Sequence, residues 1–130
     1  MFFVLWYNIY MISFVIHGNT PSKKNSKQII YKNGKPLIIS SNNHATWHKD
    51  ALKQIVWGNQ PLTTTKEIQL FFYGKDKRKF DISNKAESIL DLLVDRGVLE
   101  DDNYSVVPRL VLQYQGIDTL NPRCEIHIYD

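Results

Sequence analysis

Between Lys75 and Asn103 the chain gathers the residue types that phosphate chemistry uses. Lys75, Lys77, Arg78 and Lys79 come first, followed by a lone acid, Asp81. Past an amphipathic segment lies the acidic cluster Glu100, Asp101 and Asp102. Hard cations such as Mg²⁺ take oxygen ligands, commonly a few carboxylates together with substrate oxygens. Acids at both ends of one helix, approached by lysines and an arginine, suit a divalent metal held beside a phosphate.

The positioning element is a helix. With Asn84 as N-cap, Glu87 falls where a capping-box acid reaches back to the cap. Ala86, Ile89, Leu90 and Leu93 then share one face at the 3.6-residue period, which predicts burial of that face. Asn84, Ser88, Asp91 and Asp95 line the opposite face, and Gly97 supplies the stop. Periodicity alone reads simply as a surface helix with a solvated acidic face. The order of charges outside the helix is what favours a site.

In this order the residues Asp81, Ser83, Asn84, Glu87, Asp91, Leu93, Gly97, Asp101 and Asp102 resemble the pattern of the RusA-type Holliday-junction resolvases. These are small Mg²⁺-dependent DNA endonucleases of bacteria and their phages. A second family feature is matched by Pro21-Ser22-Lys23-Lys24-Asn25. The likeness runs from about Met11 to the C-terminus. Ser83 stands where the family usually has a second Asp, and Glu87 where it usually has Lys.

The resemblance implies phosphodiester cleavage with Mg²⁺, or Mn²⁺ as substitute, in which metal ions activate water and neutralise the leaving oxygen. Asp81 and Asp102 are the expected anchors, with Asp101 and Asp91 nearby. Glu87, ahead of Asp91, is the expected replacement for the acid missing at Ser83, because helical side chains lean toward the N-terminus and so toward Asp81; the rival is that Glu87 only closes the capping box. Asn84 and Ser83 orient a ligand or water. Lys23, Lys24, Asn25, Lys27, Lys77, Arg78, Lys79 and Lys85 are the expected DNA contacts, and their binding should fall with salt. The resemblance further implies branched DNA as partner, a homodimer making paired nicks and a bacterial or phage origin, while the single cysteine fits a reducing cytoplasm and no membrane segment is expected. Two rivals stand beside it: a DNA-binding protein of the same fold without cleavage, and a small basic interaction protein whose acids only cap helices and turns.

The 130 residues suffice for one core, and net charge is +3, a mild basic bias concentrated in 22–35 and 75–79. The single cysteine, Cys124, excludes an internal disulfide and reads as a small half-buried strand residue. Residues 1–10, MFFVLWYNIY, are too short to span a bilayer and lack the charged start of a signal peptide. They read as an apolar extension, from an upstream start codon, ahead of a domain over 11–130. A longer first strand or a dimer contact is the competing view.

Strands are predicted at Ile12–Ile16, Ile68–Tyr73, Val106–Tyr114 and Arg123–Tyr129. Asn33-Gly34 predicts a hairpin between Gln28–Tyr31 and Pro36–Ser40. A first helix capped by Asn42 or Asn43 carries His44, Trp47, Ala51, Leu52, Ile55 and Val56 on one stripe. His44 and His48 share a face but lack further ligands, so no chemistry is assigned to them. The fold class is α+β: a single domain with a mixed β-sheet and helices packed on one face.

Overall fold

The computed structural model describes residues 10–25 and 27–130, the side chains of Asn25 and Ser40 excepted. Of the apolar extension only Tyr10 falls within it, its carbonyl accepting from Asp130 N at 2.9 Å. In chain order the elements are β1 (Met11–His17), β2 (Lys27–Lys32), β3 (Lys35–Ser40), α1 (Asn42–Lys53), β4 (Glu67–Gly74), α2 (Ile82–Asp95), β5 (Leu110–Ile117) and β6 (Arg123–Tyr129). A 3₁₀ turn at Lys23–Asn25 precedes β2.

Four strands form one sheet in the order β1-β6-β4-β5. β6 runs antiparallel to β1 and β4, whereas β4 and β5 are parallel, so the sheet is mixed. A parallel pair needs a crossover, and α2 is that crossover. Burial alternates along β4 and β6. The register pairs Ile68 with Ile128, Leu70 with Ile126 and Phe72 with Cys124, so one face is continuously apolar. Ala51 and Ile55 from the α1 region and Ile89, Leu92 and Leu93 from α2 close the core over that face. The protein is thus a small α+β domain with a mixed sheet and helices packed against it. Among the described residues no helix is long and apolar enough to cross a membrane.

The β2–β3 hairpin forms as its sequence predicts, with Asn33 and Gly34 at φ 54° and 75°. Four expectations need correction. The cap of α1 is Ser41, whose Oγ accepts from His44 N at 3.3 Å, and Val56 is exposed rather than part of the apolar stripe. Strand β5 starts at Leu110, not Val106, because Val106 and Val107 both donate their N–H to the Asn103 carbonyl in a turn. Helix α2 is capped by Asp81, three residues before Asn84, so Glu87 is not at the capping-box position.

The predicted stop of α2 is present at Gly97, φ 80°. Val98 N donates to Leu93 O at 2.9 Å and Gly97 N to Val94 O at 3.0 Å, the two bonds of a Schellman end. A Cβ at Gly97 would meet nothing within 4 Å. Gly97→Ala therefore isolates the backbone cost of a left-handed residue, and stability should fall by about 1–2 kcal/mol. Urea denaturation reads this directly, and an unchanged midpoint would contradict it.

Candidate nucleic-acid interface at the start of helix α2

The parallel strands β4 and β5 end side by side, and the chain leaving β4 is the basic run. Lys75, Lys77, Arg78 and Lys79 are all exposed. They border two adjoining cavities that share Asp76, Arg78, Lys79 and Phe80 as walls. The outer cavity, about 720 Å³, is closed by Ile82, Ser83, Tyr114 and Ile117. The inner one, about 300 Å³, reaches back to Asn19, Thr20 and Ser22 in the turn after β1, to Asn43, and to Lys85. Crevices beyond the carboxyl ends of parallel strands are the usual ligand positions of open α/β sheets.

Lys85 is the unexpected member. It is 7% exposed, in a row with Ser88 and Leu92 that faces the rest of the protein. Its Nζ donates to Asn19 Oδ1 at 3.2 Å and lies 3.9 Å from the centroid of the Phe80 ring. Burial holds its pKa below the ordinary lysine value, partly opposed by the Asp76 carboxylate. Ser88, expected on the solvated face, is fully buried and donates to Pro21 O at 2.8 Å, fixing the 19–22 turn against α2. Sequence reasoning missed Asn19, Thr20, Phe80 and Tyr114. None sits in a charge run or a motif; Phe80, beside Asp81, and Thr20, just before Pro21, had only their positions as a hint.

The acids do not assemble as expected. Asp81 is exposed in the outer cavity wall and accepts from Asn84 Nδ2 at 3.2 Å. Asn84 thus braces Asp81, while Ser83 is exposed beside it. The 14 residues of α2 rise ~1.5 Å each, which carries the chain roughly 20 Å before it reaches Asp101 and Asp102. There Asp101 closes its own turn, accepting from Asp102 N at 2.8 Å and Asn103 Nδ2 at 3.0 Å. Asp91 lies about 15 Å along the axis from Asp81 and is ion-paired to Lys23. Asp95 is bonded to His48 Nε2 at 2.7 Å. Glu87 is exposed.

Carboxylates sharing a Mg²⁺ must each reach within about 2.1 Å of it. Among the described residues no three His, Cys, Asp or Glu come together to hold a metal ion. The expected Mg²⁺ or Mn²⁺ site of Asp81, Asp102 and Glu87, with Asp101 and Asp91 as further catalytic residues, is therefore overturned. With it go the assignments as metal-dependent endonuclease, hydrolase and junction-resolving enzyme. The physical reason is the helix itself, which keeps acids adjacent in the motif apart in space.

The expected DNA contacts divide. Lys77, Arg78 and Lys79 line the cavities, and Lys85 supplies the floor of the inner one. Lys24 and Lys27 are exposed on the 3₁₀ turn and at the start of β2. Lys23 is engaged with Asp91, and the side chain of Asn25 lies outside the described residues. Cys124 is fully buried, and burial pushes its thiol pKa upward, which leaves it structural. The two histidines have packing partners: His44 stacks on His48 and its ring lies 3.4 Å from Ser88 Oγ.

No protein-family model matches this chain, and no curated protein matches its sequence.

Proposed function

We propose that this protein binds DNA non-catalytically, with the phosphate backbone held at the start of α2 by Lys75, Lys77, Arg78, Lys79 and Lys85. One observation carries the reading. Of these five cations only Arg78 has a carboxylate within ion-pair distance among the described residues, Asp76 at 3.7 Å. Residues 75–79 hold four positive charges and one negative, a local +3 in a chain whose total is +3. Unneutralised cations around a crevice repel one another, and a polyanion relieves that repulsion while releasing its own counterions. The open start of α2 adds backbone N–H groups that favour a phosphate.

Branched DNA is the proposed target, on the resemblance of the two motifs to the RusA-type pattern, and a homodimer belongs to the same proposal. The test is anisotropy of a labelled four-way junction and of a plain duplex against salt, without divalent metal. Binding should weaken steeply as salt rises. Joint Lys77→Ala and Lys79→Ala substitution should make the slope of log K against log salt shallower by about 2. Salt-independent binding, or none, would sink the proposal, while junction and duplex bound alike would remove the branched target.

A further inference from the structure

The inner cavity carries two polar groups that the protein leaves incomplete. Thr20 is 3% exposed, and its Oγ1 has no hydrogen-bond partner among the described residues. An ammonium has three N–H donors. One donor of Lys85 goes to Asn19 Oδ1 and the Phe80 ring lies against the charge, which leaves two donors without an acceptor among the described residues. A buried cation with no carboxylate in ion-pair distance among the described residues, Asp76 acting on it only from farther off, and a buried hydroxyl without a partner are both costly. Both residues line the inner cavity, and both costs fall if an anion with several acceptor oxygens occupies it. Asp76, on the same wall, is turned to Arg78, accepting its backbone N–H at 2.9 Å.

The outer cavity adds apolar and aromatic surface beside the same charged rim. Tyr114 and Ile117 are 45% and 48% exposed there, on the last residues of an edge strand. The Tyr114 ring is held edge-on against Phe80, centroids 5.6 Å apart at 72°. It also lies across Gly74, where an added Cβ would come within 3.0 Å of its Oη. The ring is therefore fixed in place with much of its surface open, which is the arrangement of a stacking platform. Phe80 lines both cavities and touches one wall residue of each, Lys85 in the inner and Tyr114 in the outer.

A phosphate pocket and an aromatic platform sharing one wall match the two ends of a nucleotide. A base within a duplex has both faces covered by its neighbours, so only an unstacked base can use the platform. We propose that the paired cavities hold one unpaired nucleotide of a single DNA strand, its phosphate on Lys85 and Thr20 and its base against Tyr114. This rests on the DNA-binding reading above and narrows it to strand ends, flaps or open junction centres.

The test compares a labelled single strand, a duplex of the same sequence, and the same strand with abasic sites. The proteins are the wild type, Tyr114→Leu and Thr20→Val, with thermal midpoints confirming that each variant is folded. Tyr114→Leu keeps apolar bulk but removes the flat ring. The wild type should prefer the single strand, and Tyr114→Leu should weaken that complex about 10-fold while duplex binding is unchanged. Abasic strands should bind the wild type as weakly as intact strands bind Tyr114→Leu. Thr20→Val should weaken intact and abasic strands alike. Equal binding of strand and duplex, or a silent Tyr114→Leu, overturns the nucleotide site while leaving electrostatic binding in place. Absence of binding to every DNA overturns both.

Discussion

Phe72→Ala should lower the unfolding free energy by about 3–5 kcal/mol, the range for removing a fully buried aromatic side chain. Phe72 is 2% exposed on β4, with β5 on one side and β6 on the other. Its register partners are Cys124 on β6 and Tyr114 on β5, so a cavity there is enclosed by sheet and helix and has little room to collapse. Domains of this size have about 5–15 kcal/mol in total, so the variant would sit near its unfolding threshold. The register of β4 against β5 shifts just after Phe72, where β4 leads into the basic run. Loss of the ring therefore also loosens the strand that carries the interface. Urea denaturation should show a lower midpoint at unchanged slope. Leu120→Ala, at a 97% exposed position, is the control and should change little. A Phe72→Ala loss below about 1 kcal/mol would mean that the core closes over the gap.

What the sequence disclosed was the local part of the fold. Asn33-Gly34 specifies its turn through backbone preference alone, β-branched and aromatic composition marks β1, a continuous apolar-aromatic run marks β4, and alternation marks β6. Helix α2 was readable as an element but not at its start. Asn84 with Glu87 three residues on is the better local cap signal, and Asp81 makes no side-chain cap bond at all. Tertiary packing decided the boundary, because starting at Ile82 places Lys85, Ser88 and Leu92 against the 19–22 turn. That same choice turned Lys85 from an expected surface contact into a buried one.

The candidate site was legible as charge and illegible as distance. The basic run approaches the start of α2 because it is nearly contiguous with it in the chain. The acids at the two ends of α2 are neighbours only in the motif. Thr20 and Tyr114 come from the turn after β1 and from the edge strand β5, so only the closed sheet brings them to Phe80. A lone threonine after Asn19 carries no periodic or capping signal, and its lack of a partner exists only in three dimensions.

Lys85→Met should raise the thermal midpoint at neutral pH and weaken single-strand binding by about 10–100-fold. Hydrogen bonds to charged groups contribute roughly 1.5–3 kcal/mol, which sets that range. The two effects have opposite sign because the ammonium is held where the folded protein alone does not fully satisfy it. Methionine fills similar space, packs on Phe80 and removes the desolvated charge. Its loss of the bond to Asn19 is compensated by water, since Asn19 is exposed. The pH dependence gives an independent check. Burial lowers the folded pKa of Lys85 below its unfolded value, with Asp76 opposing. Below the folded pKa both states are protonated and the destabilisation is fully present. As pH rises from the folded pKa toward the unfolded value the folded state releases its proton first, so stability increases across that window. The increment belongs to Lys85 and should vanish in Lys85→Met, seen by comparing the two proteins in urea along an alkaline series. A variant that is less stable than the wild type would make Lys85 a structural residue. Unchanged strand affinity in a folded Lys85→Met would remove it from the phosphate site.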